Sequence, residues 1–318
     1  MLVLGFQGSP RSGGNTDRLL SAFLDEAERL GAETIKIEVG KMKISHCVEC
    51  RTCERKGFCA VNDEMQGIYP LIWRADLIVL ASPIFFYGLT GMVKAVVDRA
   101  QALWARRYVL KINDPGVNVR RGLLLALGAT KGDNLFNGVS LEAKYFFDAV
   151  GASYGDKLTY KKVENPGDIE KHPTAMEDVR EKAREMAAPL VNRRKVLYIC
   201  TENASRSQMA WAFTRYKYGD RIEAMSAGSS PAEKINDVMA EAMAEKGIDM
   251  AYITPRSLND ALETFTPDMV VTMGCVNACP VIPGAEIVDW DLPDPAGKPI
   301  STMREVRDEI EKRVKKIV

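Results

Sequence analysis

The sequence predicts two α/β domains in tandem, each a doubly wound parallel sheet with helices on both faces. Short, unbroken apolar runs alternate with helical patterns, which is how strands buried on both sides read. The alternation breaks in a charged stretch ending at Val191-Asn-Arg-Arg-Lys195 and then restarts. A chain of 318 residues can bury two such cores. The domains are expected at residues 1–190 and 194–318. They share an architecture but no motif, so they read as a fusion rather than a repeat.

In order, MLVLGFQ is a first strand, followed by the glycine-rich GSPRSGGNT and a helical pattern from Asp17 to Leu30. Thr34 to Val39 reads as a second strand, then comes a cysteine-rich loop, then the buried strand ADLIVLA at 75–81. Gly91 to Leu103 is helical, and GLLLALG at 122–128 is another continuous apolar strand. Glu164 to Arg194 is charged and turns helical in its second half. Beyond it, KVLYIC at 195–200 is a strand, 208–218 a helix, 222–226 a strand and 235–246 a helix. Met269 to Met273 is a strand, and Met303 to Val318 a closing amphipathic helix. Ligands of such sheets are expected at the carboxyl ends of the strands.

Lysine plus arginine and aspartate plus glutamate both number 43, with pI near 6.8. That balance offers no footprint for nucleic acid or an anionic membrane. No apolar run approaches a membrane span, and the N-terminus reads into a strand rather than a signal peptide, so the cytoplasm is expected. Seven cysteines in a reducing compartment point to metal or redox chemistry rather than a disulfide framework. Four lie between Cys47 and Cys59; the others are Cys200, Cys275 and Cys279.

Cys200-Thr201-Glu202-Asn203-Ala204-Ser205-Arg206-Ser207 sits between a strand and a helix. Backbone N–H groups of a loop this long can curl around a tetrahedral oxyanion. The helix adds its positive end, and Arg206 can grip two oxygens in a fork. The same fields favour a thiolate at Cys200, and Ser207 is placed to hydrogen-bond that sulfur. Asp294, in DLPDPAGKP, can protonate a leaving oxygen. Cys275 and Cys279 follow a strand at the same sheet edge. On a helix, residues i and i+4 bring their Cα atoms to about 6 Å, within disulfide reach. A phosphatase has no need of them, whereas a reductase needs a second thiol to supply electrons and a third to carry the disulfide away. Two buried thiols or half a zinc site are the alternatives, though no histidine and no further cysteine lies in this domain.

These residues, with SAG at 226–228 and VVTMGCVNACP, resemble the arsenate reductases of the low-molecular-weight tyrosine phosphatase superfamily. The resemblance covers essentially the whole second domain. It implies Cys200 as nucleophile, Arg206 and the loop 201–205 as the arsenate or phosphate-like oxyanion site, Asp294 as acid, and Cys275 with Cys279 as resolving relay. Thioredoxin-linked members space the second and third cysteines more widely, which leaves thioredoxin, a small thiol or another donor open as reductant.

In the first domain, Ser9, Arg11, Ser12, Asn15 and Thr16 of the glycine-rich turn form a phosphate cradle without the lysine of an ATP loop. Pro83, Ile84, Phe85 and Gly88, at the next strand end, suit a planar ring. With Gly128-Ala-Thr130 at a third strand end, a mononucleotide flavin is the natural ligand. This domain resembles the NAD(P)H-dependent FMN reductases of flavodoxin-like fold, which implies FMN, NAD(P)H as electron donor, and a homodimer or homotetramer. Cys47-x2-Cys50-x2-Cys53-x5-Cys59 suits four thiolates around one [4Fe–4S] cluster, as in the iron–sulfur flavoproteins of that family, with zinc or no metal as alternatives. The chain thus reads as an arsenate reductase fused to a flavin reductase. A phosphatase fused to a redox-sensing flavoprotein, and an electron carrier without turnover, are the competing readings.

Overall fold

A computed structural model describes residues 1–274 and 282–317. The chain divides into two compact units: residues 1–111 with 119–192, and residues 112–118 with 193–318.

The first unit contains β1 (Leu2–Gln7), α1 (Asn15–Arg29), β2 (Glu33–Glu38), α2 (Thr52–Lys56), α3 (Met65–Arg74), β3 (Leu77–Pro83), α4 (Gly91–Arg99) and α5 (Gln101–Trp104). A π-helical turn, 105–109, leads on to β4 (Arg121–Gly128), α6 (Asn137–Ala149), β5 (Ser153–Lys161), α7 (Asp168–Lys171) and α8 (Ala175–Val191). The strands order β2-β1-β3-β4-β5, every pair parallel. This is the flavodoxin-like order, whose switch point lies between β1 and β3. Successive side chains leave a strand on opposite faces, and both faces are buried here. Val3, Leu77, Val79, Leu123 and Leu125 meet Leu20 and Phe23 of α1 and Val179 and Met186 of α8. Phe6 points the other way, edge-on to Phe146 of α6 at 6.1 Å.

The second unit contains β6 (Arg194–Cys200), α9 (Arg206–Tyr218), β7 (Ile222–Gly228), α10 (Asp237–Ala244), α11 (Leu258–Thr264), β8 (Met269–Thr272), β9 (Glu286–Asp289) and α12 (Ile300–Lys316). Its sheet orders β7-β6-β8-β9, again wholly parallel, so the switch point falls between β6 and β8. Phe213, Met239, Met243, Met303 and Ile310 cover one face, and Leu258, Ala261 and Phe265 the other. Segment 112–118 completes this unit. Asn113 bridges Ile248, donates to the Gly247 carbonyl and accepts from the Asp249 N–H, both at 2.8 Å. Asn118 Nδ2 donates to the Tyr216 carbonyl at 2.8 Å. Among the described residues no helix is long and apolar enough to cross a membrane.

Glu245, just after α10, is gripped by Arg304 and Arg307 of α12, with Arg304 Nε at 2.9 and 3.0 Å and Arg307 Nη1 at 3.0 Å. The Arg304 hydrogen bonds, followed by those of Arg307, depress its carboxyl to about 2. A carboxyl depressed on folding adds stability above its unfolded pKa, near 4.3, and loses it as pH falls through the folded value. Acid unfolding of the second unit is therefore expected to steepen between roughly pH 4.5 and pH 2. Glu245→Gln should flatten the curve in that window, and an unchanged curve by circular dichroism would refute the assignment.

Candidate active site and cofactor sites

The Cys200 loop is shaped by a brace on its outer side. The carbonyls of Cys200, Thr201, Glu202 and Ala204 accept from the N–H groups of Ser229, Ser230, Ala232 and Asn236, at 3.2, 2.9, 2.9 and 3.0 Å. A peptide unit is planar and trans, so a carbonyl drawn outward turns the next residue's N–H inward. The N–H groups of Thr201, Glu202, Asn203 and Ser205 thus turn away from the brace and into the loop, and donors so placed at the start of α9 suit an anion. Gly228 makes this fit possible: a Cβ there would lie 2.7 Å from the Thr201 carbonyl oxygen and 2.9 Å from the Asn203 nitrogen.

Cys200 is 3% exposed, with its sulfur 3.0 Å from Ser207 Oγ. The direction of that hydrogen bond follows from Asn203. Asn203 Oδ1 accepts from the Arg256 backbone N–H (2.9 Å), which fixes the amide's orientation, so Nδ2 donates to Ser207 Oγ (2.8 Å). Ser207 then has its own hydrogen for the Cys200 sulfur. Gln208 Nε2 also donates to Asn203 Oδ1 (3.0 Å), and Ser226 Oγ to Gln208 Oε1 (3.2 Å). Asn203 is fully buried at φ 50°, so its side chain holds the loop while its N–H lines it. Gln208, Ser226 and the brace 229–236 escaped the sequence reading; the SA pair of SAG was the one signal for Ser226.

Arg206, 6% exposed, donates from Nη2 to Asp294 Oδ2 (2.9 Å) and from Nη1 to the Leu292 carbonyl (3.3 Å). Asp294 is mostly exposed, and its Oδ1 caps the Ala296 N–H at 3.0 Å. Thr201 and Glu202 are exposed, Ala204 and Ser205 buried. Gly274, at φ 75°, lies so close to Arg206 that a Cβ would sit 2.8 Å from Nη1. Met273 N–H donates to the Ile199 carbonyl at 2.9 Å, which keeps Met273 beside the strand that carries Cys200. Cys275 and Cys279 fall outside the described residues.

In the first unit, the 8–15 turn and the 83–90 loop leave the neighbouring strands β1 and β3, and Thr90 Oγ1 ties them through the Gly8 carbonyl at 2.8 Å. The N-terminus of α1 carries no side-chain cap, so its first N–H groups remain open to an anion. Arg11 and Ser12 are exposed, Ser9 and Thr16 buried. Ser9 Oγ accepts from the Arg11 N–H (3.1 Å), and Ser12 Oγ reaches Glu38 (3.2 Å). Asn15 is committed elsewhere: its amide donates to the Asn165 carbonyl (2.8 Å) and accepts from the Gly167 N–H (3.0 Å). Phe85 and Gly88 pair at 3.1 and 3.0 Å across a two-residue turn whose Phe86 and Tyr87 adopt φ 48° and 65°. Bulky residues in the left-handed region mark stored strain, and both side chains are presented to solvent. Pro83 and Ile84 lead into this turn, with the Ile84 N–H on the Leu127 carbonyl at 2.9 Å.

Cys47, Cys50, Cys53 and Cys59 are free thiols lining one cavity of about 430 Å³. Burial, with the other three thiols close by, pushes Cys53 above the ordinary thiol range, while a hydrogen bond from Thr52 lowers Cys50. Among the described residues, no three cysteine, histidine, aspartate or glutamate groups stand close enough to share a single ion. The loop is anchored by Arg106, which donates to the Gly57 carbonyl (2.9 Å) and stacks over Phe58 (4.7 Å), and by Arg99.

The family model for low molecular weight phosphotyrosine protein phosphatase matches residues 195–318, and that for NADPH-dependent FMN reductase matches residues 1–132. Arsenate reductase 2 of Staphylococcus epidermidis is 36% identical over 124 residues, which is 38% of this chain and 92% of that protein. The chain belongs to the low molecular weight phosphatase family. Its phosphatase-family domain is fused to a domain of the FMN reductase type. That second likeness extends to an iron–sulfur flavoprotein of Archaeoglobus fulgidus, 37% identical over 99 residues, 31% of this chain and 45% of that protein. The fusion thus spans about half the length of the iron–sulfur flavoproteins it matches. A solved thioredoxin-dependent arsenate reductase of Corynebacterium glutamicum is 30% identical, covering 46% of this chain and 74% of its own, with a TM-score of 0.35.

Proposed function

We propose that the fusion reduces arsenate to arsenite at the Cys200 loop, with electrons drawn from NAD(P)H by way of the first domain. The observation that carries this reading is the Cys200 sulfur, 3.0 Å from Ser207 Oγ, on a loop of inward N–H groups beside the Arg206–Asp294 pair. Cys200 attacks arsenic and forms an S–As bond. An oxyanion in the Arg206 fork releases Asp294 from its ion pair, the freed carboxylate takes up a proton from solvent and passes it to an arsenate hydroxyl, and that hydroxyl leaves as water. The Cys275 thiolate then attacks the Cys200 sulfur. A Cys200–Cys275 disulfide forms, the S–As bond breaks, and its electron pair stays with arsenic, which departs as arsenite. Cys279 attacks Cys275, moves the disulfide to 275–279 and frees Cys200. Two thiols are oxidised for each arsenate reduced, and a two-electron donor must restore them. The activity of the Staphylococcus relative supports this choice of oxyanion.

The first domain's residues fit FMN. Ser9, Arg11, Ser12 and Thr16, with the Asn15 N–H, would hold the phosphate over the uncapped start of α1, and Pro83, Ile84, Phe85 and Gly88 would bed the ring. When bound, FMN accepts hydride from a nicotinamide and passes electrons on. A cavity of about 430 Å³ walled by Cys47, Cys50, Cys53 and Cys59 supports a [4Fe–4S] cluster over a lone zinc.

Arsenate-dependent NADPH oxidation by the anaerobically purified chain tests the whole reading. Cys275→Ser is expected to abolish repeated arsenate turnover while hydrolysis of a phosphate ester at Cys200 continues. Wild-type turnover in that variant would overturn the relay. A requirement for added thioredoxin or small thiol would overturn the internal supply of electrons.

A further inference from the structure

Arginine has five N–H donors, and the one at position 99 spends four of them on closing the cysteine loop. Arg99 Nη1 donates to the Ser45 carbonyl (3.0 Å) and Asp63 Oδ2 (2.7 Å), and Nη2 to the Val61 carbonyl (3.1 Å) and Asp63 Oδ1 (3.1 Å). Ser45 lies just before Cys47, and Val61 and Asp63 just after Cys59. The guanidinium therefore joins the two ends of the segment that carries all four thiols. The Asp63 carboxylate is occupied on its far side by the N–H groups of Ser45 (2.8 Å) and Met65 (3.1 Å). The fifth donor, Nε–H, is buried and has no partner among the described residues. The side chain is wholly shielded from solvent, and Arg99 forms part of the wall of the four-cysteine cavity. Its charge lies close to Cys59, and Tyr69, whose hydroxyl donates to the Arg99 carbonyl at 2.9 Å, lies against the same thiol.

A buried donor left unmet is rare in folded proteins, and an unseen ligand is among its accepted causes. A purely structural staple would need only the four Nη hydrogens. We propose that the Arg99 Nε–H donates a hydrogen bond to a sulfur of the cluster held by Cys47, Cys50, Cys53 and Cys59, and so raises its reduction potential. The physical basis is general: four thiolates make the site anionic, reduction adds a further negative charge, and a nearby cation with a hydrogen bond to sulfur stabilises the reduced form more than the oxidised one. Asp63 does not cancel this, because Arg99 lines the cavity and Asp63 does not, and the Asp63 oxygens also accept from the Ser45 and Met65 amides. Arg99 thus tunes how readily the first domain's cluster takes up an electron.

This rests on reading the four cysteines as cluster ligands, and the experiment separates the two claims. Iron and acid-labile sulfide are measured first in the anaerobic wild-type chain; their absence overturns the cluster reading and this inference with it. In cluster-loaded protein, Arg99→Lys keeps the charge and loses Nε–H, whereas Arg99→Gln loses both. Both are expected to move the midpoint potential to more negative values, Arg99→Gln further. Variants that shed iron faster yet keep the wild-type potential in what remains would reduce Arg99 to a staple and overturn the inference. Because either variant can fail to fold, pulsed electron paramagnetic resonance on wild-type protein labelled with 15N-arginine gives an independent answer. A nitrogen coupling to the reduced cluster is expected, and its absence overturns the inference alone.

Discussion

Arg206→Lys is expected to lower kcat/KM for arsenate by about 10²–10³-fold, the usual loss when a preorganised oxyanion donor is removed. The cause is geometric rather than one of charge. The guanidinium reaches Asp294 at 2.9 Å and the Leu292 carbonyl at 3.3 Å with two different nitrogens, and a lysine ammonium cannot span both. Gly274 packs against the same group, so a shorter cation also leaves a gap beside the backbone that leads into Cys275. Steady-state kinetics with arsenate and inhibition by phosphate should weaken together. A variant that binds phosphate as the wild type does, yet turns over slowly, would place Arg206 outside the oxyanion site.

Asn203→Ala should cost about 3 kcal/mol of stability in the second unit, since a buried partner left unmet costs about 1–3 kcal/mol and the left-handed backbone adds strain. Removing this side chain takes a hydrogen-bond partner from the Arg256 N–H, Gln208 Nε2 and Ser207 Oγ at once. Ser207 then loses the contact that directs its hydrogen to the Cys200 sulfur, so alkylation of Cys200 should change along with the unfolding curve. Asn203→Gly separates the contributions: it relieves the φ of 50° but restores none of the hydrogen bonds. An alanine variant as stable as the wild type in urea would show that the hydrogen bonds contribute nothing, and a glycine variant no more stable than the alanine one would show that the backbone strain does not.

Strands buried on both faces were legible because they are uninterrupted apolar runs. KVLYIC became β6, GLLLALG the core of β4, and ADLIVLA most of β3. Of the edge strands, β2 and β7 were legible as well, but β5 and β9 were not. Ser153–Lys161 and Glu286–Asp289 are half exposed, so their patterns carry charges and lysines that read as loop. Cysteine and arginine spacing announced the Cys200 loop, since the chemistry needs those residue types there. The residues that shape the loop gave no such signal. Gln208 and Arg256 act through positions that only the fold brings beside Asn203, and Arg99 lies forty residues beyond Cys59, whose cavity it lines. Asn15 shows the converse: a residue type suited to a phosphate spends its side chain on the 165–169 loop.

The seven residues 112–118 have a consequence for taking the molecule apart. The polypeptide passes between its two units three times, after Lys111, after Asn118 and after Asn192, rather than once. A single cut near residue 193 therefore cannot liberate the C-terminal half intact. The released fragment would expose the main-chain groups of Gly247 and Asp249 and the Tyr216 carbonyl without their mates. During synthesis, the piece that completes the C-terminal unit leaves the ribosome long before the rest of that unit exists.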